Sequence, residues 1–282
     1  MTVSAVPSMN HGIVTVSVVV FHPDQQLLAR TLASLAQAST ALARVAPGVS
    51  VHLYLIDNGG MPEMGESLAG LSQAGIDCTV LAGHGNVGYG RGHNLAIEQA
   101  NSQFHLILNP DIDIDAQALV AAHEFFEAHA DTGLLAPRVN DDAGREQYLC
   151  RRFPTLLVLL ARGFLPSVLR RTLFAKRLAQ YEMRDVIDGR SIVWDPPIIS
   201  GCFMLFRTDV LKRIGGFDPR YFLYFEDYDL SLRTHEVARV AYVPRVTVVH
   251  HGGGASRKGS AHIRMFAASA YKFFNRFGWR LW

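Results

Sequence analysis

Apolar runs and amphipathic segments alternate along the first half of the chain. The run IVTVSVVVF at 13–21 is continuous and mainly β-branched, which predicts a strand buried on both faces of a parallel sheet. The next segment, 24–39, has helical spacing, with Asp24 as the predicted N-cap. The same reasoning predicts strands at 51–58, 78–82 and 104–114, and helices at 63–73, 92–101 and 116–129. This order predicts an α/β fold with a doubly wound, mostly parallel sheet flanked by helices.

Polar or flexible residues follow four of the predicted strands. In a doubly wound sheet, ligands bind at the carboxyl ends of the strands, beside the point where the strand order reverses. We therefore expect four segments to meet at one crevice: Phe21-His22, Asp57-Asn58, the glycine loop at 83–92, and Asn109-Pro110-Asp111.

The second half of the chain contains two basic segments. Residues 151–181 hold seven Arg or Lys and no acid, with leucines at near-helical spacing, which predicts a basic amphipathic helical insertion over 151–182. The aromatic and basic segment 257–282 predicts a helical tail. Two interpretations stay open: both segments lie on an anionic membrane, or both cover the core and expose only a basic face.

Composition limits the cellular compartments and the classes of protein that fit this sequence. With 282 residues, 49% of them hydrophobic, the chain can bury a sizeable core. Its three cysteines show no C-x-x-C spacing, which favours a reducing compartment and argues against zinc. We find no secretion signal and no membrane span, so a cytoplasmic protein is expected. Nucleic acid is the least expected partner, because the basic residues accompany leucines rather than a base-stacking platform.

The glycine loop contains G-x-G-x-x-G at Gly83, Gly85 and Gly88, with Asp111 about twenty residues later. That spacing occurs in dinucleotide-binding folds. The dinucleotide motif normally follows the first strand, however, and here two strand–helix units precede it. A tight turn between strand and helix explains the same glycines, so the loop alone does not identify a ligand.

Acidic residues indicate the chemistry more clearly. Asn109, Asp111 and Asp113 lie two apart on a predicted strand, so their oxygens would face a common space suited to Mg²⁺ or Mn²⁺. The alternative is a solvated loop or a helix cap, which we prefer for Asp115. Farther along, Glu226, Asp227 and Asp229 crowd a predicted helix start.

Within that second acidic cluster, each residue has a structural and a chemical interpretation. Asp229 and Arg233 are spaced to form an ion pair on the helix. Asp227 either caps the helix or accepts a proton from an attacking alcohol. His250 and His251 would point to opposite faces of the last strand, so at most one can join a metal site with Asp111.

These motifs together resemble the inverting glycosyltransferases of family 2, which have the GT-A fold, and particularly the rhamnosyltransferase-like members. They occur in the family's order across about 14–256: Phe21-His22, LIDNGG (55–60), GNVGYGRGHN (85–94), LNPDID (108–113), SGCFMLFR (200–207), GGFDPRYFLYFEDYDLSLR (215–233) and VVHHGGGAS (248–256). The resemblance implies a GT-A domain over 1–256, with a nucleotide-sugar half at 13–115 and an acceptor and catalytic half at 194–256. The tail would be 257–282.

The resemblance also implies residue roles. Asp227 would be the general base, and Glu226 would shape the acceptor pocket. The implied donor site consists of Phe21, His22, Asp57, Asn58, Gly88, Arg91, Asn94 and Asn109. The implied metal ligands, for Mg²⁺ or Mn²⁺, are Asp111, Asp113 and His250. The implied acceptor site consists of Gly201, Gly216, Phe217 and Asp218.

The implied substrates are a nucleotide-diphosphate sugar, with dTDP-rhamnose favoured, and a glycan or lipid-linked acceptor at the inner face of the cytoplasmic membrane. Three positions depart from the family pattern: Asn109 replaces the first acid of D-x-D, Gly60 replaces a common serine, and His93 replaces an arginine. The alternatives are a sugar-phosphate nucleotidyltransferase and a non-catalytic nucleotide- or carbohydrate-binding protein.

Overall fold

The computed structural model describes residues 12–252 and 259–282. The strands in these ranges are β1 Ile13–Val20, β2 Ser50–Asp57, β3 Asp77–Leu81, β4 Phe104–Leu108, β5 Ile112–Ile114, β6 Thr132–Asn140, β7 Glu146–Gln147, β8 Cys150–Arg151, β9 Val193–Trp194, β10 Ile198–Ile199, β11 Phe203–Arg207 and β12 Arg239–His250. The helices are α1 Gln25–Val45, α2 Gly65–Gln73, α3 Tyr89–Gln99, α4 Ala118–Ala128, α5 Leu156–Phe164, α6 Ser167–Thr172, α7 Ala175–Tyr181, α8 Thr208–Arg213, α9 Glu226–Thr234 and α10 Ser260–Phe277.

The main sheet has the order β3-β2-β1-β4-β11-β6-β12-β5, with β7 beside β6 and β9 beside β12. Strands β1 to β4 pair in parallel. Strand β11 is antiparallel to both β4 and β6, and β5 is antiparallel to β12, which itself runs parallel to β6. Along the main path only β11 and β5 therefore oppose the common direction. The predicted α/β fold with a mostly parallel sheet is confirmed.

The first strand–helix unit shows how the sequence produces this arrangement. Seven of the eight residues of β1 are buried, as expected for a strand covered on both faces. In α1, Leu28, Leu32, Leu35 and Leu42 recur at helical spacing and are all buried. Asp24 accepts hydrogen bonds from the backbone N–H groups of the first turn, so the predicted cap is confirmed.

The predicted single strand at 104–114 is two strands. Strand β4 ends at Leu108, and β5 pairs with β12 at the far edge of the sheet. The Asn109 N–H still donates to the carbonyl of Cys202 beside β11, but Pro110 lacks the N–H group that a continuing ladder needs. The prediction that alternation along one strand aligns three oxygen-bearing side chains is therefore wrong.

The insertion forms three short helices, α5 to α7, and the tail forms α10. Phe273 and Phe274 of α10 share a buried cluster with Leu159 of α5 and with Phe225, which precedes α9. Both basic segments therefore pack against the helix that begins with Glu226. Within the described ranges, no helix has the length and apolar character needed to cross a bilayer. The last residues of the VVHHGGGAS motif, 253–256, and the predicted domain boundary at 256 lie outside the described residues.

Candidate active site

The glycine loop ends where α3 begins. Gly88 is the N-cap residue with φ 91°, and a Cβ at this position would lie 2.4 Å from the carbonyl oxygen of Phe222. The next N–H group, that of Tyr89, donates to the same carbonyl at 3.0 Å. The absence of a side chain at Gly88 thus lets the helix start lie directly against the segment that leads into α9.

The Tyr89 hydroxyl lies between two other segments of the site. It is 2.6 Å from the carbonyl oxygen of Gly201 and 3.0 Å from Oδ1 of Asn109. The N–H of Gly201 in turn donates to Oδ2 of Asp227 at 3.0 Å. A continuous chain of contacts therefore joins Asp227 to the turn that carries Asp111. Sequence reasoning missed Tyr89, although its place at the start of the helix after β3 was an available signal.

Asp227 and Glu226 occupy the first turn of α9. Asp227 accepts hydrogen bonds from the backbone N–H groups of Gly201 and Tyr228. Burial raises the pKa of Asp227, and these donors oppose the shift because they stabilise the anion. Burial and the adjacent charge of Asp227 raise the pKa of Glu226 further, and its Oε2 is buried without a hydrogen-bond partner. The two N–H donors therefore favour the negative charge on Asp227 over Glu226, whose Oε2 has no donor.

Asp111 lies in the turn between β4 and β5. Its Oδ1 is buried without a hydrogen-bond partner, and its Oδ2 is 3.5 Å from Nε2 of His250. Burial alone would raise the pKa of Asp111, but contacts with His250 and Asn109 outweigh it and lower the pKa. A Cβ on Gly252 would lie 2.0 Å from Oδ2, so only glycine leaves room beside this carboxylate.

An unpaired carboxylate oxygen beside an imidazole fits a divalent cation. In the described part of the chain, no group of three His, Cys, Asp or Glu side chains is arranged to hold a metal ion. Asp111 and His250 would thus supply two ligands, and phosphate oxygens of a bound nucleotide would supply others, as is common for Mg²⁺.

Asp113 does not join this group, and its prediction as a metal ligand needs correction. Its Oδ2 lies 2.6 Å from the Arg30 guanidinium and 2.9 Å from Nε2 of His251. His251 also contacts Asp142 on this side of the strand. The adjacent histidines therefore face opposite ways, as predicted, with His250 directed at Asp111.

The predicted donor residues divide into two groups. Asp57 turns the chain after β2, because its Oδ1 accepts from the N–H groups of Gly59 and Met61. His22 has φ 45°, donates its N–H to the Gly59 carbonyl, and packs edge-on against the exposed ring of Phe21. These residues lie at the carboxyl ends of β1 and β2, where the sequence places a nucleotide.

The second group supports the loop from inside. Asn58 is buried, donates to the Gly88 carbonyl at 3.0 Å and accepts from His84. Asn94 exchanges two hydrogen bonds with the backbone of Phe217, at 2.8 and 2.9 Å. Their amides are occupied within the protein, so the prediction that Asn58 and Asn94 contact the donor needs correction. Arg91 is exposed and donates to the Pro219 carbonyl at 2.6 Å.

Three of the four predicted acceptor residues are structural. Phe217 is fully buried, and the Gly216 carbonyl accepts from the Arg233 guanidinium. Asp218 is bound by Arg220 and Arg276, of which Arg220 chiefly lowers its pKa. Only Gly201 lies beside Asp227. The predicted pair of Asp229 and Arg233 is present.

The two key carboxylates act on the same region of the protein. The charges of Asp111 and Asp227 both contribute to raising the pKa of Tyr89, behind the larger effect of burial. They also both raise the pKa of the Cys202 thiol, for which burial is again the main cause. Residues 116 positions apart in the chain are thus linked to the same tyrosine through Asn109 on one side and Gly201 on the other.

A sequence profile of glycosyl transferase family 2 matches residues 16–215 of this chain. The chain belongs to glycosyl transferase family 2. The matched segment includes the turn with Asp111 and the residue Gly201, and it ends before Asp227. The predicted family is confirmed, and the protein is a glycosyltransferase, which argues against both a nucleotidyltransferase and a non-catalytic binding protein.

Two curated relatives of this family 2 glycosyltransferase are rhamnosyltransferases by name. The N-acetylglucosaminyl-diphospho-decaprenol L-rhamnosyltransferase of Mycobacterium tuberculosis is 27% identical over 257 residues, which cover 84% of this chain and 77% of the relative. Rhamnosyltransferase WbbL of Escherichia coli (strain K12) is 27% identical over 213 residues, covering 72% of this chain and 75% of the relative.

Among solved structures, Staphylococcus aureus TarS 1-349 in complex with UDP-GlcNAc has a TM-score of 0.57 and 16% sequence identity. The similarity covers 93% of this chain and 66% of that chain. At this identity the likeness bears on the fold alone, and it agrees with the GT-A architecture predicted for the family 2 glycosyltransferase.

Proposed function

We propose that this glycosyltransferase moves L-rhamnose from dTDP-rhamnose to a hydroxyl group of a lipid-linked glycan, with inversion at the anomeric carbon. The observation that carries the proposal is the chain of contacts from Asp227 through Gly201 and Tyr89 to the turn with Asp111. This chain of contacts links the proposed base to the proposed cation site. A single displacement at the anomeric carbon needs both, one to activate the acceptor hydroxyl and one to stabilise the leaving diphosphate. The names of both curated relatives support the choice of rhamnose.

In the proposed reaction, Asp227 accepts the proton of the acceptor hydroxyl as its oxygen attacks the anomeric carbon. The N–H groups of Gly201 and Tyr228 fix the orientation of the carboxylate, so one of its oxygens stays in place for proton transfer. The bond to the nucleoside diphosphate breaks on the opposite face of the sugar. A positioned base of this kind typically contributes roughly 10²–10⁴-fold to the rate.

Asp111 and His250 are the proposed protein ligands of Mg²⁺ or Mn²⁺. When bound, the cation stabilises the negative charge that develops on the leaving diphosphate. Asp57, His22 and Phe21 would hold the nucleoside at the ends of β1 and β2, with Arg91 nearby at the start of α3.

The lipid-linked acceptor calls for contact with a membrane, and one surface has the right chemistry. The carbonyls of Arg280 and Leu281 accept from the first N–H groups of α5, so the C-terminus lies beside the insertion. We define the basic-apolar surface by its exposed apolar residues, Leu160, Val168, Leu169, Leu173, Trp279, Leu281 and Trp282. The segments 151–181 and 259–282 that carry it contain no acid. This favours peripheral binding to anionic lipid at the cytoplasmic face.

The decisive experiment is a transfer assay with purified protein, Mn²⁺ and a polyprenyl-diphosphate-linked N-acetylglucosamine acceptor. We expect rhamnosylated lipid from dTDP-rhamnose, with the opposite anomeric configuration to the donor by NMR, and none from the Asp227→Asn variant. UDP-galactofuranose and UDP-hexoses serve as competing donors. Efficient transfer from one of those and none from dTDP-rhamnose would contradict the proposed donor, and retention of configuration would contradict the mechanism.

A further inference from the structure

The Tyr89 hydroxyl has two oxygen neighbours and one proton. The Gly201 carbonyl oxygen is 2.6 Å away and Oδ1 of Asn109 is 3.0 Å away, and both atoms are acceptors. A phenol can donate to only one of them. Since burial raises the pKa of Tyr89 well above its ordinary value, the group stays a neutral phenol that can both donate and accept.

The Asn109 amide can resolve this conflict by turning over. Rotation by 180° exchanges the amide oxygen and nitrogen with almost no change of shape. The amide N–H then donates to the Tyr89 oxygen, and Tyr89 donates to the shorter contact, the Gly201 carbonyl. The Asn109 oxygen then takes the place of the amide nitrogen, on the side of the amide away from Tyr89, in the same turn as the Asp111 carboxylate.

Two oxygens facing each other repel unless a cation lies between them. Without a cation, the amide N–H is better placed toward Asp111. The Tyr89 hydroxyl then has two acceptor oxygens beside it and only one proton to donate. With a cation, the turned Asn109 oxygen and the Asp111 Oδ1, which is otherwise buried and unpaired, would both have a partner.

We propose that Tyr89 is a positioning residue that accepts the Asn109 amide N–H when a divalent cation is bound, turning the Asn109 oxygen toward Asp111 as an additional cation ligand. This rests on the proposed function only in that it takes the cation and a nucleoside diphosphate to bind at Asp111. It also gives the departure at position 109 a physical meaning. A carboxylate has two equivalent oxygens, so either one can face the cation. An amide has only one oxygen and must be oriented, and the Tyr89 hydroxyl provides that orientation.

The test is a double-mutant cycle read by cation binding rather than by turnover. Mn²⁺ affinity is measured in the presence of dTDP from the electron paramagnetic resonance signal of free Mn²⁺. We expect Tyr89→Phe to weaken Mn²⁺ binding roughly tenfold, the size of losing one hydrogen bond to a ligand-bearing group. In the Asn109→Asp background, the same Tyr89→Phe substitution should change the affinity less than about twofold, because a carboxylate needs no orientation.

A purely structural role for Tyr89 would weaken binding equally in both backgrounds, and that result would overturn the proposal. An unchanged affinity of Tyr89→Phe in the Asn109 background would do the same. If Tyr89→Phe does not fold, Asn109→Leu provides the second measurement, since it must weaken Mn²⁺ binding while Asn109→Asp must not. Failure of rhamnosyl transfer with this binding pattern intact would reject the proposed substrate and leave the role of Tyr89 standing.

Discussion

The guanidinium of Arg276 on α10 lies 2.8 Å from Oδ2 of Asp229 on α9. Asp229 is fully buried, and its other oxygen is held by Arg233. Arg276 thus ties the C-terminal helix to the helix that carries the proposed base. Replacing Arg276 with Ala should lower the free energy of unfolding by about 1–3 kcal/mol, because a hydrogen bond to a buried charged group is lost. Denaturant unfolding followed by circular dichroism measures the change.

The matched control for this prediction is Arg264→Ala, an exposed arginine on the same helix. It should change the unfolding free energy by less than about 0.5 kcal/mol. Equal effects of the two substitutions would show that the contact with Asp229 contributes nothing.

The decrease of the transfer rate at low pH should depend on the protonation of Asp227. This group must be ionised to accept a proton, and burial raises its pKa above the ordinary aspartate value. As the pH falls through this raised pKa, Asp227 becomes protonated and kcat/KM should fall in proportion to its ionised fraction. A pH series of initial rates checks this. A rate that stays level down to about pH 4, where an ordinary aspartate titrates, would argue against Asp227 as the base.

The two aspartates near the end of β4 should behave differently. Asp111→Asn should abolish the dependence of donor binding on Mn²⁺, because it removes the proposed ligand beside His250. Asp113→Asn should leave that dependence intact, because Asp113 is paired with Arg30 and His251 instead. Titration calorimetry with dTDP and Mn²⁺ compares them. Equal losses of metal dependence would restore Asp113 as a ligand.

Buried histidines should make the protein sensitive to acid. Ser17 lies between His93 and His105, at 2.7 and 2.9 Å from their ring nitrogens. Burial lowers the pKa of both histidines, that of His105 to about 3. Below about pH 6.5 the unfolded chain binds protons that the folded protein does not. The free energy of unfolding therefore decreases as the pH is lowered, by up to about 1.4 kcal/mol per pH unit for each histidine.

Unfolding measured between about pH 7 and pH 4 tests this expectation, because that window spans the unfolded histidine pKa. His105→Gln should make the slope shallower. A slope unaffected by His105→Gln would refute the assignment.

The basic-apolar surface should bind vesicles that contain anionic lipid and release them at high salt. Replacing Leu169 and Leu173 with Ser should weaken flotation with such vesicles, because both side chains are exposed in or beside α6. Val45→Ser, at an exposed apolar position at the end of α1, is the control. Flotation that is absent for the unsubstituted protein would favour a purely structural role for both basic segments.

The sequence predicted the elements of the fold better than the contacts of the site. Continuous β-branched runs such as β1 and the leucine spacing of α1 are local patterns, and the structure confirms both predictions. Pro110 is also a local feature, but the prediction of one strand over 104–114 did not include the break that it causes. The roles of Asn58 and Asn94 depended on distant backbone groups, since the partner of Asn94 lies 123 residues away. A polar residue near a strand end looks the same in sequence whether its amide faces a ligand or the protein itself.

The position of β11 determines when during synthesis the sheet can be completed. This strand lies between β4 and β6, so the two flanking strands stay apart until the chain has been made through Arg207. The N-terminal part of the sheet can assemble early, whereas β6 has only the short strand β7 to pair with until β11 and β12 have been made. Nascent chains halted before this point should expose unpaired strand edges and be prone to aggregation or capture by chaperones.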